Sequence, residues 1–194
     1  MSLQHAILTA LLEKPSSGLE LARRFDRSIR YFWSASHQQI YRELKKLEES
    51  GEIRECDEMV VAQGQKKTYE VLTRGREELT RWVSSSQGPR PSRDPMLLRV
   101  RAAAVVGVHG LSDELERQLI QHQHQLEEYL EIERRDFGDA TGDEAQLQHL
   151  VLRAGVGLEA FWVDWLTQAL DTVRTIDSQA DSSLSVPFAA GAGD

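Results

Sequence analysis

Ser36-His37-Gln38-Gln39-Ile40-Tyr41-Arg42-Glu43-Leu44-Lys45-Lys46-Leu47-Glu48-Glu49-Ser50-Gly51 reads as one helix with both ends marked. Ser36 and Gln39 have capping-box spacing, in which each side chain satisfies the other's exposed backbone N–H. Gly51 stands where a left-handed residue closes a helix. At about 100° per residue, Ile40, Leu44 and Leu47 share a face that must be buried. Gln38, Tyr41, Arg42 and Lys45 lie on the opposite face, with Ser36 and His37 at its leading end. That outer face offers amide, phenol, guanidinium and ammonium groups, and its acids, Glu48 and Glu49, collect at the far end. Such an arrangement suits a helix that enters a DNA groove by its N-terminal half. A solvated surface helix fits the same pattern, so the neighbouring sequence has to decide.

Upstream, Leu3, Ile7, Leu8, Leu11 and Leu12 recur at helical spacing until Lys14-Pro15 ends the run. This apolar face looks wider than one small domain needs, so it is expected to join a dimer surface. Ser17 and Glu20 form a second capping box, followed by the short apolar stripe Leu21, Ala22 and Phe25. Tyr31-Phe32-Trp33 is read as core filler at the helix junction. Downstream, the β-prone segments Ile53 to Ala62 and Thr68 to Leu72 flank a loop containing Gly64, which predicts a hairpin. Thr73 is then expected to cap a further helix carrying Leu79, Trp82 and Val83. Three helices and a hairpin are the order of a winged helix-turn-helix, whose third helix occupies the major groove. Lys66 and Lys67 fall where cations on the wing would meet phosphates.

Pro15-x-Ser17-Gly18-x-Glu20-Leu21, Phe32-Trp33, Gln39-Ile40-Tyr41-x-Glu43-Leu44-x-x-Leu47-Glu48-x-x-Gly51 and Lys67-x-Tyr69-x-x-x-Thr73-x-Gly75-x-x-x-Leu79-x-x-Trp82 together resemble the PadR family of transcriptional regulators. Asp94-Pro95-x-Leu97-Leu98 and Leu152-Arg153-x-Gly155 are similar to members with a long helical C-terminal domain. The resemblance implies a dimeric DNA-binding regulator, most often a repressor, released by a small molecule. Two positions depart from it. Leu19 replaces the tyrosine usual after Ser-Gly, and the wing lacks the usual proline and arginine.

The net charge of −8 is unevenly spread. Residues 1–86 hold 14 Lys/Arg against 13 Asp/Glu, whereas residues 87–194 hold 9 against 18. The first part can present a basic face; the second is a poor surface for DNA. Residues 87–94 have linker composition, and Asp94-Pro95 supplies a cap and a first-position proline for the next helix. Leu115, Leu119, Leu126 and Tyr129, then Leu147, Val151, Leu158 and Phe161, repeat at three- and four-residue spacing. Such seams pack against other helices, and a second copy of the chain is the expected cover. The expected domains are 1–86 for the winged helix, 95–177 for helical dimerisation and 178–194 for a disordered tail.

Trp162 and Trp165 are candidate walls of a pocket for a small aromatic effector, although aromatics so spaced also serve as core. On a helix, His122 and His124 point about 200° apart and cannot chelate one ion. Acids flank Cys56 and oppose thiolate formation. No nucleophile, phosphate loop or metal set stands out, so no enzyme activity, metal or cofactor is expected. The absence of a long apolar run and of a signal peptide predicts a cytoplasmic protein without a membrane partner. The chain thus reads as mainly α, a winged helix-turn-helix plus a helical dimerisation domain, bound to a palindromic double-stranded operator. The competing reading is a winged-helix protein-protein adaptor that binds no DNA.

Overall fold

Helix α1 (Leu3–Glu13) stops at the Lys14-Pro15 break, and α2 (Gly18–Arg24) starts from Ser17. In the computed structural model the described residues are 3–25, 35–58, 66–88, 93–138 and 141–184. The predicted aromatic junction at residues 31–33 and the hairpin loop at 59–65 lie outside them, as does half of the predicted linker, residues 89–92. Arg24 joins the first two helices: its guanidinium donates to the carbonyls of Ala10 (2.7 Å) and Lys14 (2.9 Å) and pairs with Glu13. It thereby adds a second donor to the Ala10 carbonyl, which also accepts the Lys14 N–H, and supplies one to the Lys14 carbonyl just past the helix end.

Helix α3 spans His37–Glu49, with Ser50 at its C-terminal cap and Gly51 beyond it at φ 73°. The Ser36–Gln39 box is present in both directions, at 3.3 Å and 2.8 Å. Ile40, Leu44 and Leu47 are buried in a core with Ile7, Leu8 and Leu11 of α1 and Leu21, Ala22 and Phe25 at α2. Each such side chain contributes roughly 1.5–3 kcal/mol, against about 1 kcal/mol for a cap. The buried face therefore orients the helix and the cap sets where it begins. Ser36→Ala should cost about 1 kcal/mol in urea unfolding without moving α3. A loss of several kcal/mol would mean that Ser36 holds more than the cap.

Strands β1 (Ile53–Glu58) and β2 (Lys66–Val71) pair antiparallel, from Ile53 opposite Val71 to Glu58 opposite Lys66. A single bridge, Tyr69 N–H to the Ser16 carbonyl at 3.0 Å, ties the start of α2 to the hairpin. Helix α4 (Thr73–Val83) corrects the capping expectation. Thr73 is its first helical residue, and Leu72 occupies the cap position without a side-chain bond. Of the apolar face of α1, Ile7, Leu8 and Leu11 are buried in this unit's own core, whereas Leu3 and Leu12 are half-buried.

The chain divides into two compact units, residues 1–90 and 91–194. The second contains α5 (Pro95–Val106), α6 (Leu111–Phe137) and α7 (Asp143–Leu184). Asp94 caps α5 and Pro95 is its first residue. Cross-helix pairs His149–Glu133, His122–Glu159 and Arg174–Glu116 run in reversed sequence order, so α6 and α7 form an antiparallel hairpin. Their core holds Met96, Leu111, Leu115, Leu166, Leu170 and Val173. Glu114 accepts bonds from Arg117 and Gln118 and pairs with Arg99 of α5, which holds its carboxyl down to about 2. Since its folded pKa is depressed, that linkage is fully present above about pH 4.5 and is lost as pH falls towards 2. Two expectations change here. Leu115 is fully buried in the unit's own core, so a partner cannot reach it. And α7 continues past Ser178 to Leu184, because no glycine or proline interrupts it before Pro187.

Candidate nucleic-acid interface

The outward face of α3 consists of the polar residues singled out from its sequence. His37, Gln38, Arg42 and Lys45 are exposed, and Tyr41 is 47% exposed. Among the described residues, Gln38 and Arg42 make no hydrogen bond or ion pair, so their donors are open to a ligand. Lys45 reaches only a loose 3.8 Å pair with Glu49. Ser36 has a different task, since its hydroxyl accepts the N–H of Gln39 and is committed to the cap. Lys46, one step round the helix, is held by Glu43 at 3.1 Å. The free donors thus lie on one face above a buried apolar underside, which is the chemistry that reads acceptors on base edges.

The hairpin is more nearly neutral than its lysines suggested. Lys67 Nζ lies 2.5 Å from Glu55 across the strands, and Arg54 pairs with Glu70 directly opposite. Lys66 has its backbone position at the open end of the ladder, opposite Glu58. Tyr69 lies beneath this surface, and burial pushes its phenol pKa up, helped by the negative charges of Glu48 and Glu55.

Two features are not legible in the sequence. His5 is buried, donates or accepts at 3.1 Å with Glu78, and stacks on Trp82 at 4.4 Å between ring centres. Spacing could not show this, because the His5–Glu78 pair is 73 residues apart. The second is the close approach of the Tyr41 ring to Gly18 on the neighbouring helix.

In the helical unit the predicted seams separate. Leu119 and Leu126 are half-buried, while Leu147, Val151, Leu158 and Phe161 remain exposed, the last two by more than half. With Leu150 they fall within one arc of roughly 100° on α7, away from Leu152, Leu166 and Leu170, which face the core. Trp162 and Trp165 meet edge to face at 5.6 Å but serve different neighbours. Trp162 stacks on His122, whereas Trp165 lines a cleft of about 680 Å³ with Val100, Val108, Ala169 and Val173. His122 bonds Glu159 at 2.6 Å and His124 lies 3.8 Å from Glu128, so the two histidines do face different ways. No helix among the described residues is long and apolar enough to cross a membrane.

Three helices, a two-stranded wing and a separate helical unit define a winged-helix transcriptional regulator with an appended helical domain. The chain belongs to the PadR-like family of transcriptional regulators. Residues 7–81 match that family, and residues 92–174 match the family described as "Virulence activator alpha C-term". The probable transcriptional regulator Rv1176c of Mycobacterium tuberculosis is 39% identical over 186 residues, covering 90% of this chain and 98% of its own length. Bacillus subtilis PadR, named a negative transcriptional regulator, has been solved with operator DNA (27% identity, TM-score 0.77) and with p-coumaric acid (27%, 0.72). Those matches cover 89% and 90% of this chain, and 99% of the other in both cases. The virulence activator AphA of Vibrio cholerae is 28% identical at TM-score 0.76, over 90% of this chain and 99% of its own.

Proposed function

We propose that the chain acts as a homodimeric repressor that binds a palindromic duplex through α3 and is released by a small aromatic effector. The observation that carries the DNA-binding part is the unpartnered Gln38 and Arg42 on the exposed face of α3, over a fully buried Ile40, Leu44 and Leu47. An adaptor surface would have no use for open base-reading donors at the leading turns of that helix. Support for a dimer comes from the exposed stripe on α7, and support for an effector from the Trp165 cleft, whose size suits a small ligand. The B. subtilis relative, solved with operator DNA and with p-coumaric acid, favours both halves of the reading.

The test is Arg42→Ala. It should weaken binding to a selected duplex about ten-fold or more and relax preference at one base pair of each half-site. Unchanged affinity in a folded Tyr41/Arg42 double alanine variant would remove α3 from the mechanism. Glu48→Ala should have little effect.

The wing gives a second expectation. Cations that meet phosphates carry no sequence information. Lys67→Ala should therefore weaken all duplexes alike and flatten the salt dependence by about 0.9 for each phosphate that a chain no longer neutralises. Because Glu55 holds Lys67 in the free protein, Glu55→Gln should do the reverse and strengthen binding to every sequence. A change in sequence preference from either variant would mean that the wing reads bases.

A further inference from the structure

Gly18 and Tyr41, on different helices, compete for one space. A β-carbon on Gly18 would lie 2.5 Å from Tyr41 Cε1, 3.2 Å from Cδ1 and 3.3 Å from Cζ. Non-bonded carbons rest at roughly 3.5–4.0 Å, so the ring is seated on backbone that only glycine leaves bare. The usual reason for a glycine is absent here. Gly18 is the first residue of α2 and is not among the glycines with positive φ, so its backbone conformation is open to any residue. Alanine is the better helix former at such a position. What the glycine provides is close approach.

The ring gains a fixed place from this packing. Tyr41 is 47% exposed and projects from the donor face of α3, where an unsupported side chain would sample several rotamers. Gly18 itself is buried, beneath the ring and beside the Ser17 cap. We propose that Gly18 is a positioning residue for Tyr41: it seats the ring against α2 so that the phenol is held ready for the duplex, and acts on DNA only through that ring. This rests on the reading that α3 enters the duplex. An added methyl at Gly18 is relieved most easily by swinging Tyr41 outward, since the clashing atoms belong to a surface side chain. The damage should therefore fall on recognition and not on folding.

The experiment is a double-mutant cycle in the full-length chain, titrating a duplex that the wild-type chain selects from a randomised pool. Gly18→Ala and Tyr41→Ala should each weaken binding about ten-fold, and their combination should be no weaker than Tyr41→Ala alone, within about two-fold. Thermal midpoints should stay close to wild type. Should Gly18→Ala alone fail to fold, the double variant, in which the clash is absent, is compared with Tyr41→Ala and must match it. Effects that multiply to about a hundred-fold would show Gly18 acting independently of the ring and overturn the proposal. Unchanged affinity in Gly18→Ala would overturn it as well. Arg42→Ala in the same assay separates the two failures. If it weakens binding while the Gly18 and Tyr41 variants do not, the positioning role falls and the groove reading stands. If no α3 variant matters, the groove reading falls.

Discussion

A chain ending at Arg90 should fold, remain monomeric, and bind a palindromic duplex about a thousand-fold or more weaker than the full-length protein. Folding is expected because residues 1–90 contain a complete core, from Ile7 and Leu8 through Phe25 to Ile40, Leu44, Leu47 and Ile53, with no contribution from the helical unit. Weak binding is expected because one winged helix covers a single half-site. Specific complexes typically exceed non-specific ones by roughly 10³ or more, and here a second α3 on the same face of the duplex would supply that margin. The remaining affinity should be steeply salt-dependent, because phosphates then supply most of it. Light scattering and duplex titration on the two chains measure both quantities. A tight dimer from residues 1–90 would transfer the dimer interface to the winged helix.

Charge placed in the α7 stripe should have an effect of similar size. Leu158 and Phe161 are 55% and 53% exposed, so Leu158→Glu combined with Phe161→Glu should leave the folding of a single chain almost unchanged. In a dimer that covers the stripe, the same carboxylates would be buried without partners. Uncompensated buried charges cost about 3 kcal/mol or more, which is at least a hundred-fold in dissociation. Sedimentation should therefore show monomers with native circular dichroism, and duplex affinity should fall towards that of the shortened chain. A variant that remains dimeric would place the interface elsewhere, for example on the exposed Val105 and Val106 of α5.

The features legible in the sequence are those that depend on neighbours a few residues apart. The boxes at Ser17–Glu20 and Ser36–Gln39, the φ 73° glycine at 51 and the Asp94-Pro95 start are local patterns, and the structure contains all four. The apolar periods of α1, α2 and α3 likewise identify their buried faces. Spacing says which residues share a face but not what covers it. Leu115 and Leu147 look alike in a seam, yet one is buried inside its own unit and the other is 65% exposed. Nor does spacing show side chains meeting across the fold. The Lys67–Glu55 pair, the His5–Trp82 stack and the seat of Tyr41 on Gly18 depend on tertiary placement alone. The end of α7 is hard to read for another reason. Asp177 to Leu184 is polar and aperiodic, but composition without glycine or proline does not stop a helix already under way.

Two copies of this chain are proposed to read DNA together through α3. Such joint binding is tested most directly by the mass of the complex formed on a duplex selected from a randomised pool by the full-length protein. Two chains are expected on one duplex, with half-sites separated by about one helical turn, and that complex should disappear in Arg42→Ala. Selection of no sequence above background, or a single chain bound with full affinity and indifferent to Arg42→Ala, would contradict it.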